Sequence, residues 1–154
     1  MRITLVVVGR LKEAYWRDAV AEYLKRLRPY AAVQVIEVPD RDVSRDELGA
    51  LVEEGAAVLK AVPEGAHVIA LALSGRRLSS EQFAEEISGH MVEGRSHLVF
   101  VIGGAAGLAQ TVLDRADTYL SLGPLTLPHQ LARVVLVEQI YRAFRIIRGE
   151  PYHR

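Results

Sequence analysis

The stretch HLVFVIGGAAGLAQTVLDRA (residues 97–116) decides the fold class. Residues 97–102 are almost wholly apolar, and a run of that length closed by a turn reads as a strand buried on both faces. Gly103, Gly104 and Gly107 then turn the chain, and residues 109–116 resume helical spacing. Strand, glycine turn and helix in direct succession form the repeating unit of a parallel sheet.

The alternation continues in both directions. Residues 2–9 (RITLVVVG), 32–38 (AVQVIEV), 67–73 (HVIALAL) and 118–122 (TYLSL) read as the other strands. Helices are expected over 12–28, 44–62, 79–94 and 129–149; the first repeats Tyr15, Trp16, Val20, Tyr23, Leu24 and Leu27 at helical intervals. Ser44 with Glu47, and Ser79 with Gln82, are spaced as capping boxes. Five strand–helix units predict a single α/β domain over residues 1–154, a mainly parallel sheet with flanking helices.

Bulk properties narrow the function classes. A chain of 154 residues, half apolar and a quarter charged, can bury roughly 68–70% of its unfolded surface. No stretch approaches the ~20 apolar residues of a membrane span, so no membrane association is expected. The first apolar run is too short and strand-like for a signal peptide. Without cysteine there is no disulfide scaffold, thiolate metal site or cysteine nucleophile, a usage compatible with the cytoplasm. Net charge is zero but uneven: residues 1–30 carry seven Lys/Arg and three Asp/Glu, 31–96 six and twelve, and 97–154 six and four. Two basic ends that met in space would suit a polyanion, and a solvated surface explains them equally well.

Candidate chemistry is sparse. The glycine turn has the spacing G-G-x-x-G, not G-x-G-x-x-G, and TYLSLG (118–123) ends without the acid that binds a ribose, which weighs against a dinucleotide. His67, His90, His97, His129 and His153 do not cluster as metal ligands, so no metal is expected, and His67 and His97 read as surface residues. The apolar loop LSLGPLTLPHQLAR (120–133) is either core packing or the wall of a pocket. The last helix is apolar nearly all round, from Leu131 to Ile147, which suggests a subunit interface; Glu138 and Arg142 stand four apart on it. Along a straight helix His129 and His153 would lie about 36 Å apart, which hints at a site shared between two chains. The terminal PYHR (151–154) reads as an ordinary basic helix end or as a functional tail.

With these residues in view, the chain resembles the ribosomal RNA large-subunit methyltransferase H family, enzymes of the SPOUT class that methylate N3 of a pseudouridine in 23S rRNA. The likeness runs from end to end and rests on LVVVGRLK, EYLKRL, VIGGAAGL, LTLPHQLARVVLVEQIYRA and PYHR. It implies a SPOUT-type fold with a C-terminal trefoil knot, a homodimer, and S-adenosyl-L-methionine held by Leu71, Ala72, Leu73, Gly103, Gly104, Leu122, Gly123, Pro124, Leu125, Thr126 and Leu127. Pro124 and Ala72 depart from the family pattern, Pro124 by lacking an N–H and Ala72 by standing where an acid is common.

The resemblance also implies a division of labour. Tyr152, His153 and Arg154 would reach the partner's pocket and, with Arg133, hold the nucleotide. His153, His129 or Glu138 would serve as base, while Arg142 and Arg154 would favour the ionised imide. The expected substrate is 23S rRNA within the assembled ribosome. Competing readings are a nucleotide-dependent oxidoreductase, a non-catalytic ribosome-binding module, and a SPOUT enzyme acting on transfer RNA.

Overall fold

A computed structural model of the chain describes residues 1–152. Five strands, β1 (Arg2–Val8), β2 (Ala32–Val38), β3 (His67–Arg77), β4 (His97–Ile102) and β5 (Thr118–Ser121), form one sheet in the order β2-β1-β4-β3-β5, with every pairing parallel. Helices α1 (Ala14–Leu27), α2 (Glu47–Ala61), α3 (Ser80–Val92), α4 (Gln110–Arg115) and α5 (His129–Ile147) cover its two faces.

Strand alternation sorts the core into two layers. Ile3, Leu5 and Val7 of β1 and Leu98, Phe100 and Ile102 of β4 point to the side of α1, α3 and α5. Val6, Val8, Val99 and Val101 point the other way, against α2 and α4. Because β1 and β4 are central and covered on both faces, they read as unbroken apolar runs.

Side-chain caps open two of the helices, α2 and α3. Ser79 and Gln82 make the expected capping box. The other box does not form. Asp46 caps α2 by accepting from the Gly49 N–H at 2.9 Å, while Ser44 donates from both its N–H and its hydroxyl to Asp42. An aspartate nearer the helix thus displaces the serine. Strand β3 runs past its expected end at residue 73, because pairing with β5 breaks at Leu71 and resumes at Arg76, leaving 72–75 as a bulge. His67 and His97 open their strands partly buried, not on the surface; His97 Nε2 pairs with the buried Thr4 hydroxyl at 2.8 Å.

Candidate active site

All strands run one way, so their C-terminal ends and the loops that leave them share one edge of the sheet, the usual ligand edge of an α/β domain. Two of those loops and the bulge within β3 line a pocket of about 480 Å³. Strand β3 contributes Leu71 and its bulge Ala72, Leu73 and Ser74, and the glycine turn after β4 contributes Gly103, Gly104, Gly107 and Leu108. The loop after β5 contributes Leu122, Gly123, Leu125, Thr126 and Leu127. The apolar 120–133 loop is therefore a pocket wall. The pocket's volume falls within the range of small-molecule sites.

Backbone closeness shapes this pocket. A side chain on Gly103 would collide with the Gly107 carbonyl oxygen, and one on Gly75 would sit 2.7 Å from the Leu120 backbone. Gly123 holds φ +117°, open to glycine at little strain. Beneath the glycine turn lies a buried acid, Glu54 of α2. Its Oε2 accepts from the Arg41 N–H at 2.8 Å, and its Oε1 has no partner.

His129, the first residue of α5, lines this pocket and also a second crevice beside Gly9 and Asp40. Burial, aided by the neighbouring Arg133 cation and opposed by Asp40, lowers its pKa from the ordinary imidazole value. Its Nδ1 is buried without a partner. A neutral ring with one unused nitrogen can accept or donate a proton at the pocket wall.

Comparison with known proteins gives this geometry a lineage. Residues 1–153 match the family described as "Predicted SPOUT methyltransferase". Proteins named ribosomal RNA large subunit methyltransferase H from Listeria monocytogenes serotype 4b and Carboxydothermus hydrogenoformans are each 52% identical, over 100% of both chains. The chain belongs to the ribosomal RNA large subunit methyltransferase H family of SPOUT methyltransferases. Among solved structures, a probable methylase family protein from Haemophilus influenzae aligns with TM-score 0.55 at 14% identity, covering 99% of this chain and 70% of that one. A probable methyltransferase from Bordetella pertussis aligns with TM-score 0.56 at 14% identity over 93% and 96% of the two chains. These two bear on the fold alone.

On this SPOUT scaffold ten of the eleven cofactor positions expected from sequence line one pocket; the exposed Pro124 does not. Glu138, Arg142 and Tyr152 form a separate cluster. Arg142 donates to Glu138 at 3.0 Å and lies 4.2 Å from the Tyr152 ring centroid, and the Tyr152 hydroxyl donates to Glu138 at 2.7 Å. Burial first, then Glu138, raises the Tyr152 phenol above its ordinary pKa, so it stays protonated. The expected His129–His153 separation lies outside the described residues, which show α5 stopping at Ile147 and Gly149 taking a positive φ. Tyr152 returns to Glu138, nine residues and roughly 13 Å along α5 from His129.

Arg133 stands apart from the pocket, 2% exposed, with Nη1 donating to Glu37 at 2.7 Å and Nη2 to the Gly9 carbonyl at 3.1 Å. Nothing in the isolated alternation of AVQVIEV marked Glu37 as its counter-ion. His153 and Arg154 lie outside the described residues. Among the described residues no group of three or more His, Cys, Asp or Glu is placed to hold a metal, and no helix is long and apolar enough to cross a membrane.

Proposed function

We propose that this SPOUT methyltransferase uses S-adenosyl-L-methionine to methylate N3 of a pseudouridine in 23S rRNA, acting in the cytoplasm as a homodimer on the assembled ribosome, without a metal. The observation that carries the reading is the convergence of three backbone-rich segments on one apolar pocket whose wall includes an unpaired imidazole. The residues fit the cofactor. Apolar segments 71–74 and 122–127 suit an adenine ring, and Gly103 and Gly104 allow close approach to backbone. When bound, the cofactor supplies an electrophilic methyl group on sulfur. Pro124 and Ala72 offer it no N–H and no carboxylate, so its polar contacts fall to neighbouring backbone.

The chain's own residues must orient the base and remove a proton from N3. His129, neutral at physiological pH, is suited to accept that proton. Arg142 and Arg154 lower the demand on it by favouring the imide anion, with Glu138 and His153 as the other candidate acceptors. Tyr152 offers a ring for stacking and Arg154 a guanidinium for phosphate, while Arg133 borders the nucleotide's route.

The dimer is supported by the outward side of α5, where Leu131, Val134 and Val135 are only partly covered and the Nε of Arg142 is buried without an acceptor. A twin subunit would bring its Tyr152-to-Arg154 tail to this pocket. The segment after β5 would thread through a preceding loop and so form the trefoil knot of the SPOUT class.

The test is transfer of tritiated methyl groups to ribosomes that lack the modification, with pseudouridine compared against uridine at the target. Label only on pseudouridine is expected. Equal labelling of both, or labelling of transfer RNA instead, would overturn the assignment.

A further inference from the structure

The charges that the pocket leaves unused gather beyond His129. A groove of about 700 Å³ runs between the loop after β1, helix α1 and strand β2, and its charged residues are Arg10, Lys12, Arg17, Arg133 and Glu37. Four cations thus meet a single carboxylate, and that carboxylate is engaged. Glu37 accepts from Arg133 at 2.7 Å and from the Leu11 N–H at 3.4 Å.

Arg133 is the built part of this site. It is almost fully buried, two of its nitrogens are bonded, and its Nε–H has no acceptor. Leaving a charged donor buried and unpaired is unfavourable unless another group meets it. Arg17 shapes the rim by donating to the Leu11 carbonyl at 3.1 Å and the Lys12 carbonyl at 2.5 Å, which curls the loop and leaves Arg10 and Lys12 exposed.

The groove connects to the pocket. A crevice of about 600 Å³ shares Arg10, Lys12 and Glu37 with it and reaches His129, which also lines the pocket. Glu13 and Asp40 face that crevice, so an anion is repelled there and favoured in the groove.

We propose that the groove seats the phosphodiester backbone beside the target nucleotide, with Arg10 and Lys12 at its rim and the Arg133 guanidinium at its floor. This rests on the rRNA methyltransferase reading above. Both rim side chains are exposed, so R10A/K12A is expected to fold normally, which circular dichroism checks. With ribosomes lacking the modification, KM for ribosomes is expected to rise about tenfold in this variant, while kcat falls less than threefold and S-adenosylmethionine affinity holds. The slope of log(kcat/KM) against log[salt] is expected to shrink by about 0.7 for each single-strand phosphate that is no longer neutralised. R10K/K12R, which keeps both charges, is expected to retain the wild-type KM.

An unchanged KM and salt slope in R10A/K12A, or an R10K/K12R variant as weak as the alanine pair, would overturn the groove and leave the methyltransferase reading standing. A wild-type chain that transfers no methyl group to ribosomes would overturn both.

Discussion

Replacing Gly75 with alanine tests how the β3 bulge builds the pocket. The new methyl would lie 2.7 Å from the Leu120 N and C atoms and from the Tyr119 carbonyl carbon. All three are backbone, so no side chain can swing aside. Reaching the 3.4 Å of ordinary contact from 2.7 Å moves β3 and β5 apart by about 0.7 Å. Overpacking of this kind costs about 1–3 kcal/mol. The Arg76–Leu120 and Arg77–Ser121 pairings beside it would also weaken, each ladder hydrogen bond contributing about 1 kcal/mol. We expect a total near 3 kcal/mol, a fall in Tm of about 6–12 °C for a chain of this size.

The same shift moves Leu71 to Ser74, so cofactor affinity is expected to drop about tenfold, or about 1.4 kcal/mol. Thermal and urea melts with calorimetric titration of S-adenosylmethionine measure both effects. Gly89 is the control. It lies within α3 without a positive φ, and a methyl group there would meet no atom within 4 Å, so Gly89→Ala is expected to stabilise by about 0.5–1 kcal/mol. If Gly75→Ala melts with the wild type and binds cofactor equally well, the account of the bulge is wrong.

Other residues carry sharper single outcomes. Burial lowers the pKa of His67, His90, His97 and His129. Below about pH 6.5 the unfolded chain therefore takes up protons first, and stability is expected to fall with pH through the folded values, read as a lower urea midpoint at pH 5.5 than at pH 7.5. Arg133→Ala removes the cation from Glu37, which keeps only the 3.4 Å Leu11 N–H, and the donor from the Gly9 carbonyl, and is expected to cost about 3 kcal/mol in chemical denaturation. Ser79→Ala removes the α3 cap and is expected to cost about 1 kcal/mol in the same assay. Tyr152→Phe loses the 2.7 Å bond to Glu138; single-turnover methyl transfer is expected to slow severalfold at unchanged cofactor affinity, and a matching loss of cofactor affinity would contradict it.

Much of the architecture was legible because it depends on local pattern. The central strands are apolar on both faces and bounded by glycine or polar turns, so periodicity locates β1 and β4 without knowing their neighbours. What escaped depends on partners distant in sequence. Glu54 lies in an acidic-looking helix yet packs beneath the glycine turn, and only the tertiary approach of residues 41 and 104 reveals it. The Arg133–Glu37 pair joins residues 96 apart. The bulge at 72–75 exists because β5 re-registers against β3, a relation that HVIALALSG alone does not encode. The pocket lining was accessible through family resemblance more than through chemistry, since its walls are leucines and glycines that any core could use.

The reversal after α5 has an energetic corollary. Arg145 donates to the Pro151 carbonyl and to Glu150, and also to the Tyr30 hydroxyl beyond the end of α1, which ties the returning chain to the turn between α1 and β2. Ordering of the backbone up to Tyr152 is thereby incurred during folding, before any RNA arrives. An aromatic ring already set beside Glu138 would meet a ligand without the entropic penalty that a loose terminal peptide carries into every encounter. Tyr30, through its bonds to Arg145 and Glu150, is consequently a fixed point on which that reversal depends.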